Sequence, residues 1–435
     1  MKSIWYDEFE MKGFKSQNGD IKTDVLIIGG GLCGILCAYM LKNEGVDCTV
    51  VEADRICDGV TGCTTAKITF QHGLIYDKII SRYGLESAQM YYKSQKNALN
   101  KYKELSKLIE CDFETCCSVV YSLDNRTVIE QEISALDKVG CKSEFVTETE
   151  LPFDVLGAVK IDKQAKFQPL KFVSAIAKNL KIYENTKVTE LKPYEAITDK
   201  GKIKAKKIIV ATHFPFINKH GSYFVKMYQH RSYVAAIKGT PDIKDMYIDE
   251  AQGGLSFRSH NGVLLLGGGG HRTGEEGQGW NAPERACRQY YPDAEIIRKW
   301  ATQDCMTLDT IPYIGQYSKS TQDIFVATGF NKWGMTSSMV AATILTDMIC
   351  ERENEYASVY SPSRTILHPQ LFVNVFKSAK GLLTLTAPRC PHLGCALKYN
   401  KQEHSWDCSC HGSRFDENGK LLDNPATGDI PEIKC

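Results

Sequence analysis

The chain has 435 residues, 43% hydrophobic and 24% charged, so it is long enough for two or three domains with sizeable cores and needs no covalent staples. A formal net charge of +1, from 53 basic and 52 acidic residues, argues against nucleic acid or an anionic membrane as the main partner. Residues 1–14 lack the apolar core of a signal peptide, and the longest apolar run, 25–41, is interrupted by four glycines and short for a bilayer span. A soluble, cytoplasmic protein with no transmembrane segment is expected.

Taken in chain order, residues 23–45 read as a strand, a tight glycine turn and a helix. Gly29, Gly31 and Gly34 form G-x-G-x-x-G, which lets backbone N–H groups approach a pyrophosphate at a helix N-terminus. Glu52 closes the next strand, where a carboxylate can accept from a ribose hydroxyl. With strand, helix and acid all in place, this is a dinucleotide site. Thr64 and Thr65 follow, with hydroxyls suited to phosphate or ring contacts, and His72 comes shortly after them. Helical patterns cover 82–112 and 125–150, short strands begin at Lys187, and strand-rich stretches lie at 231–238, 246–250 and 255–266. After Pro312 the chain returns to strand, turn and helix, and residues 361–363 read as a linker. The two separated strand–glycine–helix pieces imply one nucleotide-binding domain assembled from distant segments, with a second domain inserted.

On the glycine fingerprint, the run 198–212 and the closing block 312–336, residues 20–352 resemble the FAD-dependent amino-acid and amine oxidoreductases, which include glycine and sarcosine oxidases. The resemblance implies an α/β (α+β) fold: a Rossmann-like FAD-binding domain from segments near 20–80, 160–215 and 305–352, with a substrate domain from 81–159 and 216–304. It also implies that Val188 and Ala211 lie beside the adenosine and that Gly334, Met335 and Thr336 cover the isoalloxazine end. His271, after the strand of residues 263–270, resembles an active-site histidine of the sarcosine-oxidase branch, and Arg272 and Arg258 are candidate cations for a substrate carboxylate. Cys305 lies near the position where some relatives attach flavin covalently, but its spacing to Asp309 departs from theirs.

Seventeen cysteines are too few for a secreted disulfide scaffold, and most are scattered singly. Residues 390–411 differ, with four cysteines and three histidines. Cys390-x-His392 and Cys408-x-x-His411 supply two thiolates and two imidazoles, which suit either a zinc site or a [2Fe–2S] centre. A zinc site leaves Cys395 and Cys410 without a role. The two half-motifs resemble the Rieske family, which implies Cys390, His392, Cys408 and His411 as ligands of the [2Fe–2S] cluster and a Cys395–Cys410 disulfide bracing the loops. Ser409 stands where that family usually has proline, and residues 371–389 offer about two strands where Rieske domains bring several, so a small, shortened all-β domain is expected over 365–435. The combination implies an FAD enzyme that oxidises a small amine or amino acid and passes electrons through the cluster to an external acceptor, a protein or a quinone. Two alternatives stay open: a flavin and iron–sulfur relay with no small substrate, and a flavoprotein whose C-terminal domain is vestigial or binds zinc.

Overall fold

In the computed structural model, which describes residues 2–217, 220–384 and 388–431, the apolar strand Ile21–Ile28 lies inside a sheet. The strand order is Tyr313–Gln316, Ile324–Thr328, Gly201–Val210, Ile21–Ile28, Cys48–Val51 and Ile182–Tyr183. Ile21–Ile28 pairs in parallel with both its neighbours. Val25, Leu26, Ile27 and Ile28 are all buried, as a strand covered on both faces requires. Helices Leu32–Asn43 and Gly334–Ile349 pack on one face and on each other, burying Ile35, Leu36, Met339 and Ile344 in the main core.

A second sheet of nine strands runs from Glu295–Thr307 through Met227–Lys238, Val263–Arg272, Ser256–His260, Met246–Asp249, Glu114–Ser122 and Gly157–Lys166 to Lys67–Ile68. The chain enters it twice, over residues 67–166 and 227–307, between visits to the first sheet. A helical stretch Tyr76–Ser106, broken by a kink at Gly84 where φ is +82°, and a shorter helix, Arg126–Lys138, replace the two helical patterns read from the sequence.

The C-terminal part is a four-stranded antiparallel sheet, Leu397–Asn400, Ser405–Cys408, Arg414–Asp416 and Leu421–Asp423. The two strands expected before Cys390 are a helix instead, Pro369–Leu383. Pro369 opens the first turn, where its missing N–H costs nothing, and the His368 ring accepts from Gln370 N. The linker before it is pinned: Arg364 Nε donates to Asp309 at 2.6 Å, and its guanidinium lies 3.9 Å from the Tyr313 ring centre. Burial alone would raise the Asp309 carboxyl, but Arg364 holds it below the usual carboxylate range.

Candidate active site and cluster-binding loops

The three fingerprint glycines differ in what they make room for. Gly29 has φ +112°, and a Cβ on it would lie 2.5 Å from the Ala211 carbonyl oxygen. A Cβ on Gly34 would lie 2.0 Å from the Gly29 carbonyl oxygen, so this glycine lets helix and strand close together. A Cβ on Gly31 would meet one side chain, the Thr61 hydroxyl at a tight 3.3 Å, and otherwise open space. It caps helix Leu32–Asn43 and lines a cavity of about 1490 Å³. Glu52 lines the same cavity and accepts from Gly30 N at 2.6 Å and Asp54 N at 3.0 Å. Burial pushes its carboxyl up, opposed by those two amides.

Thr64, Thr65, Val188, Ala211, Gly334 and Met335 also line this cavity. Thr336 stands one layer behind, donating to Thr69 O at 2.9 Å and meeting His72 Nε2 at 3.0 Å. The His72 ring lines the cavity, stacks on Trp333 with centres 5.0 Å apart, and is pushed down to about 3 by burial, so it is neutral. Open space at Gly31, the acid at Glu52 and a cavity running from both to the closing block are the shape an extended dinucleotide needs. Cys305 lines the cavity too, but burial raises its thiol far above the ordinary value, so it offers no thiolate for covalent attachment.

None of the three cations expected to meet substrate lines this cavity. Arg258 is fully buried, donating to the carbonyls of Thr65 and Phe167 with its guanidinium 5.1 Å from the Trp5 ring centre. It braces the loop that carries the two threonines. Arg272 donates to Asn374 Oδ1 at 2.9 Å and to the Ser409 and Cys410 carbonyls at 3.3 Å, so it clamps a cluster loop. His271 pairs in register with Arg231, while the neighbouring His230 points to the other face of the sheet. His271 stacks on Tyr233 and meets its hydroxyl at 2.9 Å.

Polar side chains that do line the cavity include His230, Ser232 and Asp304 on this sheet, beside Arg231, Tyr233 and Gln303, with Glu250 and Gln252 in the loop after strand Met246–Asp249 and Lys332 from the closing block. Burial pushes His230 down to about 3, so it is neutral. The Arg231 carbonyl, 2.9 Å from Nδ1, holds the ring proton there and leaves Nε2 free to accept, 3.3 Å from Gln252 Nε2. Asp304 accepts from Ser232 Oγ at 3.3 Å, and burial raises its carboxyl. Burial pushes the Lys332 ammonium down, partly offset by Asp304. Sequence reading missed these residues, although strand alternation through Tyr228, His230 and Ser232 carried the signal.

The two cluster loops are built alike. The Cys390 carbonyl accepts from Gly394 N and the Cys408 carbonyl from Gly412 N, each at 2.9 Å, and both glycines have positive φ. The His392 and His411 rings face each other with centres 4.9 Å apart and planes at 85°. Cys390 and Cys408 are buried, and His411 Nδ1 is a buried atom with no hydrogen-bond partner, as a metal ligand would be. This donor set fits two thiolates and two imidazoles on a [2Fe–2S] cluster. The expected Cys395–Cys410 disulfide is not formed. Both are free thiols, and their sulfurs lie with that of Cys408 within 4.8 Å of one another.

These loops sit directly on the cavity-lining strands. Phe224 meets both ligand rings edge-on, at 6.4 Å from His392 and 5.9 Å from His411. Gln229 Nε2 donates to His411 O at 3.3 Å and Asn424 O at 2.7 Å, and Gln303 Nε2 donates to Gly412 O at 2.9 Å. Gln229 and the cavity-lining Cys305 are strand partners. The contact is locked by Glu403, which accepts from Arg231 Nε at 2.9 Å, Tyr233 Oη at 2.9 Å and Arg414 at 2.8 Å. Burial opposes ionisation of Glu403, but the two guanidiniums hold its carboxyl down at about 2. Glu403, Arg414 and Asp423 of the C-terminal sheet line the same cavity as Glu52.

Residues 24–348 match the FAD dependent oxidoreductase family model, and residues 353–434 match the Rieske [2Fe-2S] domain. YhfW of Bacillus subtilis (strain 168), named as a Rieske 2Fe-2S iron-sulfur protein, is 33% identical over 99% of this chain and 97% of its own length. Gamma-glutamylputrescine oxidoreductase of Escherichia coli (strain K12) is 22% identical over 80% of this chain and 88% of that protein. The fold is shared with L-proline dehydrogenase from P. horikoshii, with a TM-score of 0.68, 19% identity, and 80% and 98% of the two chains covered. The chain therefore belongs to the FAD-dependent oxidoreductase family and joins its FAD domain to a C-terminal Rieske domain that binds a [2Fe–2S] cluster.

Proposed function

We propose that this enzyme oxidises a small amine or amino acid at the FAD site and sends the electrons through the cluster to an external acceptor. The observation that carries this reading is the seat of the His411 loop on Gln229 and Gln303, within strands that line the cofactor cavity. Bound FAD accepts two electrons at once, while a [2Fe–2S] centre normally carries one.

In this reading Gly29, Gly31, Gly34 and Glu52 hold the dinucleotide, with Gly31 N and the first turn of helix Leu32–Asn43 toward the pyrophosphate. Cys390, His392, Cys408 and His411 hold the iron. The substrate face is the strand surface of His230, Ser232 and Asp304 with Lys332 above it. Neutral His230 can accept a hydrogen bond at Nε2 from a substrate amine, and Asp304 faces the same space. Lys332 Nζ has no hydrogen bond among the described residues and suits a carboxylate or another anionic end of the substrate. His271, Arg258 and Arg272 hold the scaffold and the cluster loop in place. The reaction is assigned to the cytoplasm, where the protein's many thiols stay reduced.

The test is anaerobic addition of an amine and amino-acid library to the holoenzyme, following flavin bleaching and cluster absorbance together. A substrate that bleaches the flavin and then reduces the cluster is expected. Bleaching that never reaches the cluster would favour a plain flavin oxidoreductase.

A further inference from the structure

A surface helix ordinarily turns its apolar side inward. Pro369–Leu383 does the reverse. Its buried residues are Asn374 and Gly381. Asn374 holds Arg272, and Gly381 seats on the cluster loops, where a Cβ would lie 2.6 Å from Cys410 Sγ. Phe372, Val375, Phe376 and Leu383 point outward, exposed by 69%, 50%, 70% and 80%. At about 3.6 residues per turn they share one outer face. Leu367 at the helix start and Leu393 beside the ligand His392 extend this face along the cluster loops. Among the described residues, eight of the sixteen large exposed apolar side chains fall within residues 367–393, so they cluster here.

The rim of the patch is basic. The helix carries Lys377 and Lys380 and no acid. Arg82 donates to Leu367 O at one end, Arg389 donates to Gly381 O and Leu382 O at the other, and Lys398 stands near Lys377. Glu275, paired with Lys377, is the one acid in ion-pair contact with the helix among the described residues.

We propose that this helix is an interfacial anchor that lays the protein on an anionic lipid surface with its Rieske loops facing the headgroups. An outward arc of Phe, Val and Leu bordered by lysine is what the headgroup–acyl boundary accepts. A second copy fits less well, because a two-fold contact would set Lys380 and Arg389 against their own images. A single convex helix also offers no groove to a peptide. The net charge of +1 does not oppose this, since what a membrane meets is the local field of one face. No helix among the described residues is long and apolar enough to cross a bilayer, so the contact lies on the membrane. Gly381 touches Cys410, which leaves the cluster about one helix diameter, ~10 Å, from the lipid and within reach of a lipophilic one-electron acceptor. Only that last consequence rests on the proposed electron route.

Flotation of the holoprotein with vesicles of phosphatidylcholine plus phosphatidylglycerol, against phosphatidylcholine alone, tests this. The protein should float with the anionic vesicles. The double change Phe372→Ser, Phe376→Ser should lower the bound fraction about tenfold, with flavin and cluster spectra unchanged. Lys380→Glu should weaken binding to anionic vesicles alone. Protein that stays unbound with both vesicles, or a double variant that floats as well as the parent, would overturn the anchor. So would a dimer in sedimentation equilibrium that the double variant dissolves without any vesicle binding, since the face would then cover a second copy. Loss of vesicle binding with flavin-to-cluster transfer intact would remove the anchor and leave the proposed enzyme standing.

Discussion

At the dinucleotide turn the decisive atoms are ones that are missing, the Cβ positions of Gly29, Gly31 and Gly34, and the surrounding core of Val25, Ile27, Ile35 and Met339 exists without any cofactor. At the cluster loops the cysteines themselves form much of the core. Among the described residues, the ligands Cys390 and Cys408 with the free thiols Cys395 and Cys410 make up half of the eight side chains in the buried apolar cluster there, with Leu397, Phe415, Ala426 and Ile430 as the rest. The first site is framed by the main hydrophobic core. The second is small enough that metal binding is part of its folding free energy.

That contrast breaks most visibly if the metal is removed. Stripping iron from the holoenzyme should leave hydrogen exchange of the first sheet unchanged while protection is lost across 390–430. Equal protection of both regions in metal-free protein would show that the C-terminal sheet stands without its cluster.

The next largest effect separates two glycines of one motif. Gly34→Ala puts a Cβ against the Gly29 carbonyl and should cost at least about 3 kcal/mol, read as a fall in melting temperature. Gly31→Val meets only the Thr61 hydroxyl, 3.3 Å from a Cβ, so with a small shift of that side chain it should fold yet lose bound FAD, read as the flavin-to-protein ratio. If Gly31→Val retains flavin, the pyrophosphate does not lie where helix Leu32–Asn43 points.

The joint between the regions can be titrated. Glu403 is held at about 2 against an ordinary 4.5, so its folded form gains stability above 4.5 and loses it as the pH falls from 4.5 toward 2. The difference is worth about 3 kcal/mol. In acid the C-terminal sheet should release before the flavin domain melts, and Glu403→Gln should flatten that dependence while weakening the docked state at neutral pH. Limited proteolysis of residues 361–368 at stepped pH would follow it.

The smallest expected effect is kinetic. Gln229→Ala removes the side chain shared by His411 O and Asn424 O, so cluster reduction should slow about tenfold while flavin bleaching by substrate stays at its parent rate.

Much of this was legible in the sequence because local chemistry set it. A glycine turn between an apolar strand and a helix, and Cys-x-His spacing on a tight loop, mean the same thing in most contexts. The proposed substrate face was not legible, because it depends on which parity of a strand looks inward. His271 and His230 are partners' neighbours on adjacent strands, and one residue of register decides that His230 meets the cavity and His271 meets Tyr233. Arg258 and Arg272 looked like substrate cations for want of any sign that a backbone carbonyl or a cluster loop would claim them. The helix at Pro369–Leu383 is not legible as one because a short apolar run rich in Phe and Val suits strand as well as helix, although Phe372, Val375, Phe376 and Leu383 recur at helical spacing.

The central claim, that electrons pass between the two sites within one chain, is tested most directly by anaerobic stopped-flow at flavin and cluster wavelengths over a tenfold range of protein concentration. Seating of the His411 loop on Gln229 and Gln303 predicts cluster reduction after flavin bleaching with a rate constant independent of protein concentration. A rate that rises with concentration, or a cluster that stays oxidised beside a bleached flavin, would contradict it.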